Sequence, residues 1–524
     1  MQNAPNTKPL ELEVSDFGPI TEAKIKLRPL TVFVGPSNTG KSYLAILIYA
    51  LHRFLGPGTP GLGIGRRFIV PSSLSPPNRR GVPVLSDEKW DTLLHWVRDN
   101  ASIPGVRETP DRRNILVPDE IAALVRPVFE NMDNHAIHFD TEIRRCFGVD
   151  EIKQLIRRPS TKGVKVTLKS HVDPGSEDAK PLAFTFTSRG ATPSFSASIP
   201  PRTPLYATNI FDPFFWPVQR TAGMLSDREQ ATEDETLKLS LLLNLFEAVF
   251  TSSVGDACRP AHYLPADRTG VMHAHRVVVR SLIERATAAG LRPASAMPAL
   301  SGVMADFLEQ LISFGDDPRG RHNPNQDLVN KLEKEVLTGS VHMEKSEVEY
   351  PRFFYTPQGW KKEETLPLMN ASSMVSELAP VVLYLRYVVN PGDLLIIEEP
   401  ESHLHPAMQV EFIRNLAAAV QSGIRVLITT HSEWVLEEVA NLVSISNLPG
   451  DRRKGIDSAN ISLPESDVGA WLFNPSNRPR GSKVEEIRLD RESGTFPSGF
   501  SQVSEALYNK WAEITNRIEE SQLQ

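Results

Sequence analysis

The sequence predicts an α/β fold organised around a buried parallel sheet, and three segments of the chain predict it. Each is an apolar run of strand length that stops at a polar turn. Leu30–Val34 precedes Gly35-Pro36-Ser37-Asn38-Thr39-Gly40-Lys41-Ser42, residues 394–397 precede Glu398-Glu399-Pro400, and residues 424–428 precede Thr429-Thr430-His431-Ser432. A run that is mostly apolar, without strict alternation, marks a strand covered on both faces. In open parallel sheets, ligands gather beyond the carboxyl ends of the strands, where all three turns fall.

The first turn has the spacing GxxxxGKS between a strand and the apolar run Tyr43-Leu44-Ala45-Ile46-Leu47-Ile48, which reads as a helix. Glycines let the loop Gly35, Pro36, Ser37, Asn38, Thr39 and Gly40 curl until several of its N–H groups, Pro36 having none, point inward at a β-phosphate. The helix adds its positive end, Lys41 reaches the β/γ oxygens and the Ser42 hydroxyl ligates Mg²⁺. A chance glycine-rich turn would not carry this spacing and this context together. At the second turn Glu398 is placed to hold the Mg²⁺ shell and Glu399 to polarise the attacking water. The bland reading, a solvated acidic turn, loses weight beside a phosphate loop. At the third, His431 is placed to reach the γ-phosphate or the water, although a strand-end histidine is ordinarily structural.

Taken in this order, with Glu399 continuing as Pro400-Glu401-Ser402-His403-Leu404-His405-Pro406, the three segments resemble the ABC-type ATPases of the RecF, SMC and OLD group, chains often grouped as AAA-family ATPases. The resemblance implies a P-loop NTPase of ABC/RecF-like head architecture. Lys41 and Ser42 then belong to Walker A, Glu398 and Glu399 to Walker B, residues 401–405 to the D-loop, and His431 is the switch histidine. ATP and Mg²⁺ are the cofactors, Glu399 and His431 the catalytic pair, and Ser42 and Glu398 the metal ligands. Glu398 stands where many relatives have Asp, which still supplies a carboxylate. The group also carries a serine-led helix start that completes the ATP site of a second subunit. Here Ser373, within residues 370–380, matches it, with Met374 where glycine is usual. An ordinary helix cap, with Glu377 helping, is the competing reading.

Lys41 and Glu398 are 357 residues apart, so something large is inserted. Pro57, Pro60, Pro71, Pro76, Pro77, Pro201, Pro204, Pro213 and Pro217 rule out a continuous coiled-coil rod and predict a compact α+β lobe. The division expected is 1–56 (first part of the head), 57–257 (the insertion), 258–440 (second part of the head) and 441–524 (closing strands and a helix). Within the insertion, residues 56–83 read as a loop, 88–100, 119–131 and 151–158 as helices, and 164–170, 182–188 and 194–199 as an antiparallel meander. Residues 10–14 and 23–27 form a hairpin into the phosphate-loop strand. Residues 262–271 resemble the strand and turn that re-enter the head. Asp267 and Arg268 there have two readings: approach to nucleotide or metal-linked water, or a buried structural ion pair. Helices at 274–289, 299–313 and 326–337, strands at 341–344 and 352–356, and a closing helix at 501–519 follow.

The 524 residues allow about three domains. A net charge of −7 excludes a protein that is basic throughout, so nucleic-acid contact would need a local patch. Lys153, Arg157, Arg158, Lys162, Lys165 and Lys169 form one candidate, with a solvated basic face as the plainer reading. Two cysteines, Cys146 and Cys258, make neither a disulfide framework nor a metal quartet. Residues 237–250, the longest apolar stretch, contain Lys238, Asn244 and Glu247 and fall short of the ~20 residues a bilayer span needs. With no apolar leader at the N-terminus, a cytoplasmic location and no membrane partner are expected. Of OLD nucleases, the Asp-x-Asp pair is missing from the 93 residues after His431, so no nuclease motif is found. The expectation is a Mg²⁺-dependent ATPase whose heads form a homodimer or higher homo-oligomer and gate a separate effector protein or DNA, in phage defence or DNA maintenance. Septu-like and PARIS-like antiphage systems hold similar ATPases. The alternatives are a RecF/SMC-type repair clamp on DNA and a non-hydrolysing ATP-sensing scaffold.

Overall fold

The computed structural model describes residues 10–56, 87–100, 114–130, 136–158, 162–170, 181–189, 193–199, 203–208, 245, 248–287, 300–314, 323–346, 349–361, 363–477, 480–489 and 506–515. The chain divides into two compact units, Gly18–Tyr49 with Cys146–Gly148 and Ala261–Gln524, and Met1–Phe17 with Ala50–Arg145 and Val149–Pro260.

The first unit holds a seven-stranded run in the order Ile20–Leu27, Arg480–Ile487, Val468–Asn477, Leu30–Val34, Arg425–Thr430, Leu394–Glu398, Ala261–Leu264. From Val468–Asn477 to Ala261–Leu264 every pairing is parallel. The register sets Thr430 opposite Val34 and Glu398 opposite Thr429, so the three polar turns leave the sheet at one edge. All residues of the three motif strands are buried, their apolar majority together with Thr31, Arg425 and the polar ends Glu398, Thr429 and Thr430. Alternation divides them between faces. Val32, Val34, Leu395, Ile397, Val426 and Ile428 join one core with Leu378 and Val382 of helix Ser373–Tyr387, Leu416 of helix Pro406–Gln421 and Val439 of helix Glu433–Ser446. Phe33 faces the other way and meets the Phe473 ring at 5.2 Å.

Local boundaries differ from the sequence reading in two places here. The helix expected from 274 begins at Arg268 and runs to Thr287, because Arg268 is an anchored first residue rather than part of a turn. The expected helix 326–337 is helical only over Gln326–Leu332 and continues as a wider turn, Glu333–Leu337, that ends at left-handed Thr338. Gly339–Ser346, Glu349–Pro357 and Leu366–Pro367 form a small antiparallel sheet.

In the second unit, Leu10–Phe17, Val164–Ser170, Leu182–Ser188 and Pro193–Ser198 form an antiparallel meander, with Val14 opposite Val166, Val166 opposite Phe186 and Phe186 opposite Phe195. Its buried face packs on Leu51, Leu55 and an aromatic group in which Phe139 lies 4.7 Å from Phe54 and 4.9 Å from Phe186. The expected helix over 151–158 is corrected to a single turn, Ile152–Leu155. Ile156 instead bridges Phe17, and Arg157 N–H donates to Asp16 O, 2.9 Å. Pro159 follows and disfavours helical backbone just before it. Helix Ala136–Phe147 was not anticipated. The expected loop beyond Gly56, most of the 237–250 run and the ends of the closing helix lie outside the described residues.

Candidate functional site

The phosphate loop is held in a shape that only glycine permits at two points. Gly35 has φ 143° and Gly40 φ 101°. A Cβ on Gly35 would stand 2.7 Å from the Phe473 carbonyl oxygen, and one on Gly40 2.8 Å from Ile20 Cγ1. Thr39 Oγ1 donates to Pro36 O at 2.8 Å and closes the loop. Helix Lys41–Leu55 starts directly from it with no acid in its first turn, so its positive end is offered to a ligand rather than spent internally.

Lys41 lies folded across this loop. Its Nζ donates to Gly35 O and Pro36 O, both at 2.9 Å, and sits 3.0 Å from His431 Nε2. Burial lowers its pKa to about 8, against the opposing pull of Glu399, Glu401 and Glu398. His431 Nε2 is also 3.3 Å from Glu399 Oε1, and this contact, opposed by burial, holds the Glu399 carboxyl below its ordinary value. Glu399 leaves the acid strand with left-handed backbone, φ 41°, and its N–H donates to Thr429 O at 2.9 Å. Glu398 accepts from the Ala266 N–H at 3.1 Å through Oε2. Glu401 Oε1 accepts from Thr430 Oγ1 and from His431 N–H, each at 2.6 Å. The residue therefore fixes the histidine's backbone.

Lys41, Glu399 and His431 are thus brought together, with Glu398 and Glu401 within electrostatic reach. Ser42, Pro36, Ser37 and Asn38 are exposed along the loop, and among the described residues Ser42 has no bond to Glu398. Ser373 is exposed as the first residue of its helix, while the cap is Ser372, whose hydroxyl accepts from Val375 N–H at 3.3 Å. Glu377 does not help that cap. It is buried and pairs with fully buried Arg268 at 2.5 Å, which decides for the ion-pair reading of Arg268 and against contact with nucleotide; Asp267 is exposed. The basic run is partly neutralised: Arg157 pairs with Asp16 at 2.8 Å, Lys169 with Glu13 at 2.6 Å, and Lys153 with Glu151. Sequence reasoning missed the supporting roles of Thr429 and Thr430; their placement at the end of the histidine strand was the available signal.

The donor set fits a magnesium triphosphate. Glycine-enforced loop curvature, an uncompensated helix start and one lysine suit the phosphates, and a hydroxyl with a carboxylate are the hard oxygen ligands Mg²⁺ takes.

Residues 221–436 match a family model described as an AAA ATPase domain. No curated protein matches the chain. Solved SMC heads align along most of it. One is an SMC head bound to the C-winged helix domain of ScpA, at 11% identity, 93% coverage of this chain, 99% of that chain and TM-score 0.38. Another, with an extended coiled coil and bound to the C-terminal domain of ScpA derived from Pyrococcus furiosus, aligns at 11%, 92%, 97% and 0.38. The SMC head domain from Thermotoga maritima aligns at 10%, 92%, 99% and 0.33. Superpositions this loose add nothing to the strand order and site geometry above.

Proposed function

We propose that this chain, which carries an AAA ATPase domain on a P-loop NTPase fold, binds ATP with Mg²⁺, hydrolyses it slowly, and uses nucleotide to close two heads that gate a partner protein. The observation that carries the reading is the meeting of Lys41 with His431, 390 residues later, beside Glu399. Loop N–H groups and Lys41 bind the β- and γ-phosphates. Glu399 orients and polarises water, and His431, fixed by Glu401, faces the γ-phosphate. Ser42 and Glu398 would hold Mg²⁺, which supplies neutralising charge at the phosphate oxygens. Exposed Ser373 at its helix start is available to the phosphate of a second copy.

Hydrolysis by the purified chain, and its mass with and without a non-hydrolysable ATP analogue, test this together. Turnover lost in Lys41→Ala and a doubled mass with the analogue are expected. A chain that neither binds nor hydrolyses ATP is instead a structural relative of such enzymes. The alternative, a DNA clamp, rests on the basic run, and the pairing of Arg157, Lys169 and Lys153 with acids disfavours it. A gel shift whose affinity falls steeply with salt would revive it. No helix among the described residues is long and apolar enough to cross a membrane. Phage defence is the setting we favour, with the effector a separate protein.

A further inference from the structure

The two acids at the end of the strand Leu394–Glu398 are gripped from beneath by a side chain that touches neither loop nor histidine. Arg268 is fully buried. Its Nη1 donates to Glu398 O at 2.6 Å and to Pro265 O at 3.1 Å, its Nη2 to Glu399 O at 3.4 Å, and its Nε to Glu377 O at 3.0 Å. Nη2 also meets Glu377 Oε1 at 2.5 Å, and Thr269 Oγ1 donates to the other Glu377 oxygen. From these contacts we infer that Arg268 is a positioning residue, fixing the backbone of Glu398 and Glu399 to the helix that Ser373 leads. The inference deepens the proposed ATPase reaction and rests on it.

Three features support a positioning role over a merely space-filling one. Glu399 has φ 41°, a backbone state that a non-glycine residue keeps only where its surroundings impose it; Thr429 holds its N–H and Arg268 its carbonyl. The planar five-donor guanidinium serves two strand-end carbonyls, a turn carbonyl and a carboxylate at once, which a lysine ammonium does not match. A second tie runs in parallel: His273 Nε2 lies 3.1 Å from Ser376 Oγ, whose proton goes to Leu368 O at 3.1 Å, in the turn leading to Ser373. A shift of the serine-led helix therefore carries Arg268, and with it the carbonyls of both acids.

The test compares the parent chain with Arg268→Lys and with the double variant Arg268→Met, Glu377→Met, which removes both buried charges and leaves neither unpaired. Thermal melting establishes folding. The expected result is an affinity for a non-hydrolysable ATP analogue within about threefold of the parent, with kcat lower by roughly a hundredfold, the usual consequence of about 1 Å of misplacement at a reacting group. Arg268→Lys should fall between the two. Hydrogen exchange on the nucleotide-free chain should accelerate across residues 396–401 and leave the Arg425–Thr430 strand unchanged. A folded double variant with parental kcat, an affinity that falls in step with kcat, or unaltered exchange at 396–401 would each overturn the inference. If the parent shows no turnover, the ATPase reading fails, and the exchange measurement still decides whether Arg268 grips the acids.

Discussion

Nucleotide affinity should depend on pH through Lys41. Free of ligand, its ammonium is buried and its pKa is about 8 rather than 10.5. Phosphate oxygens favour the charged form and return the pKa toward its ordinary value. Above pH 8 the free lysine is mostly neutral, and binding must first restore a proton. The apparent dissociation constant then grows as one plus the ratio of neutral to charged lysine, which gives about a tenfold rise between pH 7 and 9, or ~1.4 kcal/mol. The sign is fixed: affinity is full well below 8, halved near 8 and falls further above it. Calorimetry with an ATP analogue and Mg²⁺, in buffers of different ionisation heat, should record uptake of about half a proton per site at pH 8. Lys41→Arg, whose charge does not titrate in this range, should bind with a flat profile. A flat profile for the parent chain would refute the reasoning. For folding, the same depressed pKa makes stability rise with pH between about 8 and 10.5, where the unfolded chain holds a proton that the folded one has lost.

Glu399→Gln should keep ATP and accumulate a closed dimer by mass, with turnover lower by roughly 10²- to 10⁴-fold, since the phosphate contacts remain while water is no longer polarised. A native rate would show that the base is another residue. Gly40→Ala forces φ 101° on alanine and sets its Cβ against Ile20 and Pro19, at a cost of about 1–3 kcal/mol, so analogue binding should weaken while the sheet still melts cooperatively. Glu401→Ala removes two charge-assisted bonds to Thr430 and His431, each worth about 1.5–3 kcal/mol, and should lower kcat more than analogue affinity.

The motif strands were legible because each is a short apolar run bounded by glycine, acid or hydroxyl residues, and burial on both faces leaves no other reading. Their order was not, because parallel pairing is non-local. Nothing near Leu30–Val34 in sequence announces that Val468–Asn477 lies on one side of it and Arg425–Thr430 on the other. Lys41 was legible through the spacing of its loop, and Glu399 and His431 through their place at strand ends and the resemblance that orders the three segments. Glu377 was misread for the reason that hid the sheet order: a glutamate four residues after a serine suits a helix start, and only its tertiary partner 109 residues away reveals a buried charge. The acid partners of the basic run were hidden likewise, since Asp16 and Glu13 lie 141 and 156 residues from Arg157 and Lys169.

His431 Nε2 is a single ring nitrogen facing both Lys41 Nζ and Glu399 Oε1. As an acceptor it serves the lysine, and as a donor it serves the carboxylate, so it does not satisfy both as a neutral ring beside a charged lysine. Drawing Lys41 onto phosphate removes one claimant and leaves Nε2 to Glu399 or to the γ-phosphate. On the proposed reaction, nucleotide binding would then act on Glu399 through proton bookkeeping at one atom, without any large movement of the strands. On this argument Lys41→Ala should tighten the Glu399–His431 contact in the free chain while abolishing nucleotide binding, and histidine-selective nitrogen NMR should find the His431 ring with Nε2 protonated. An unchanged His431 signal in that variant would show that the lysine does not compete for the nitrogen.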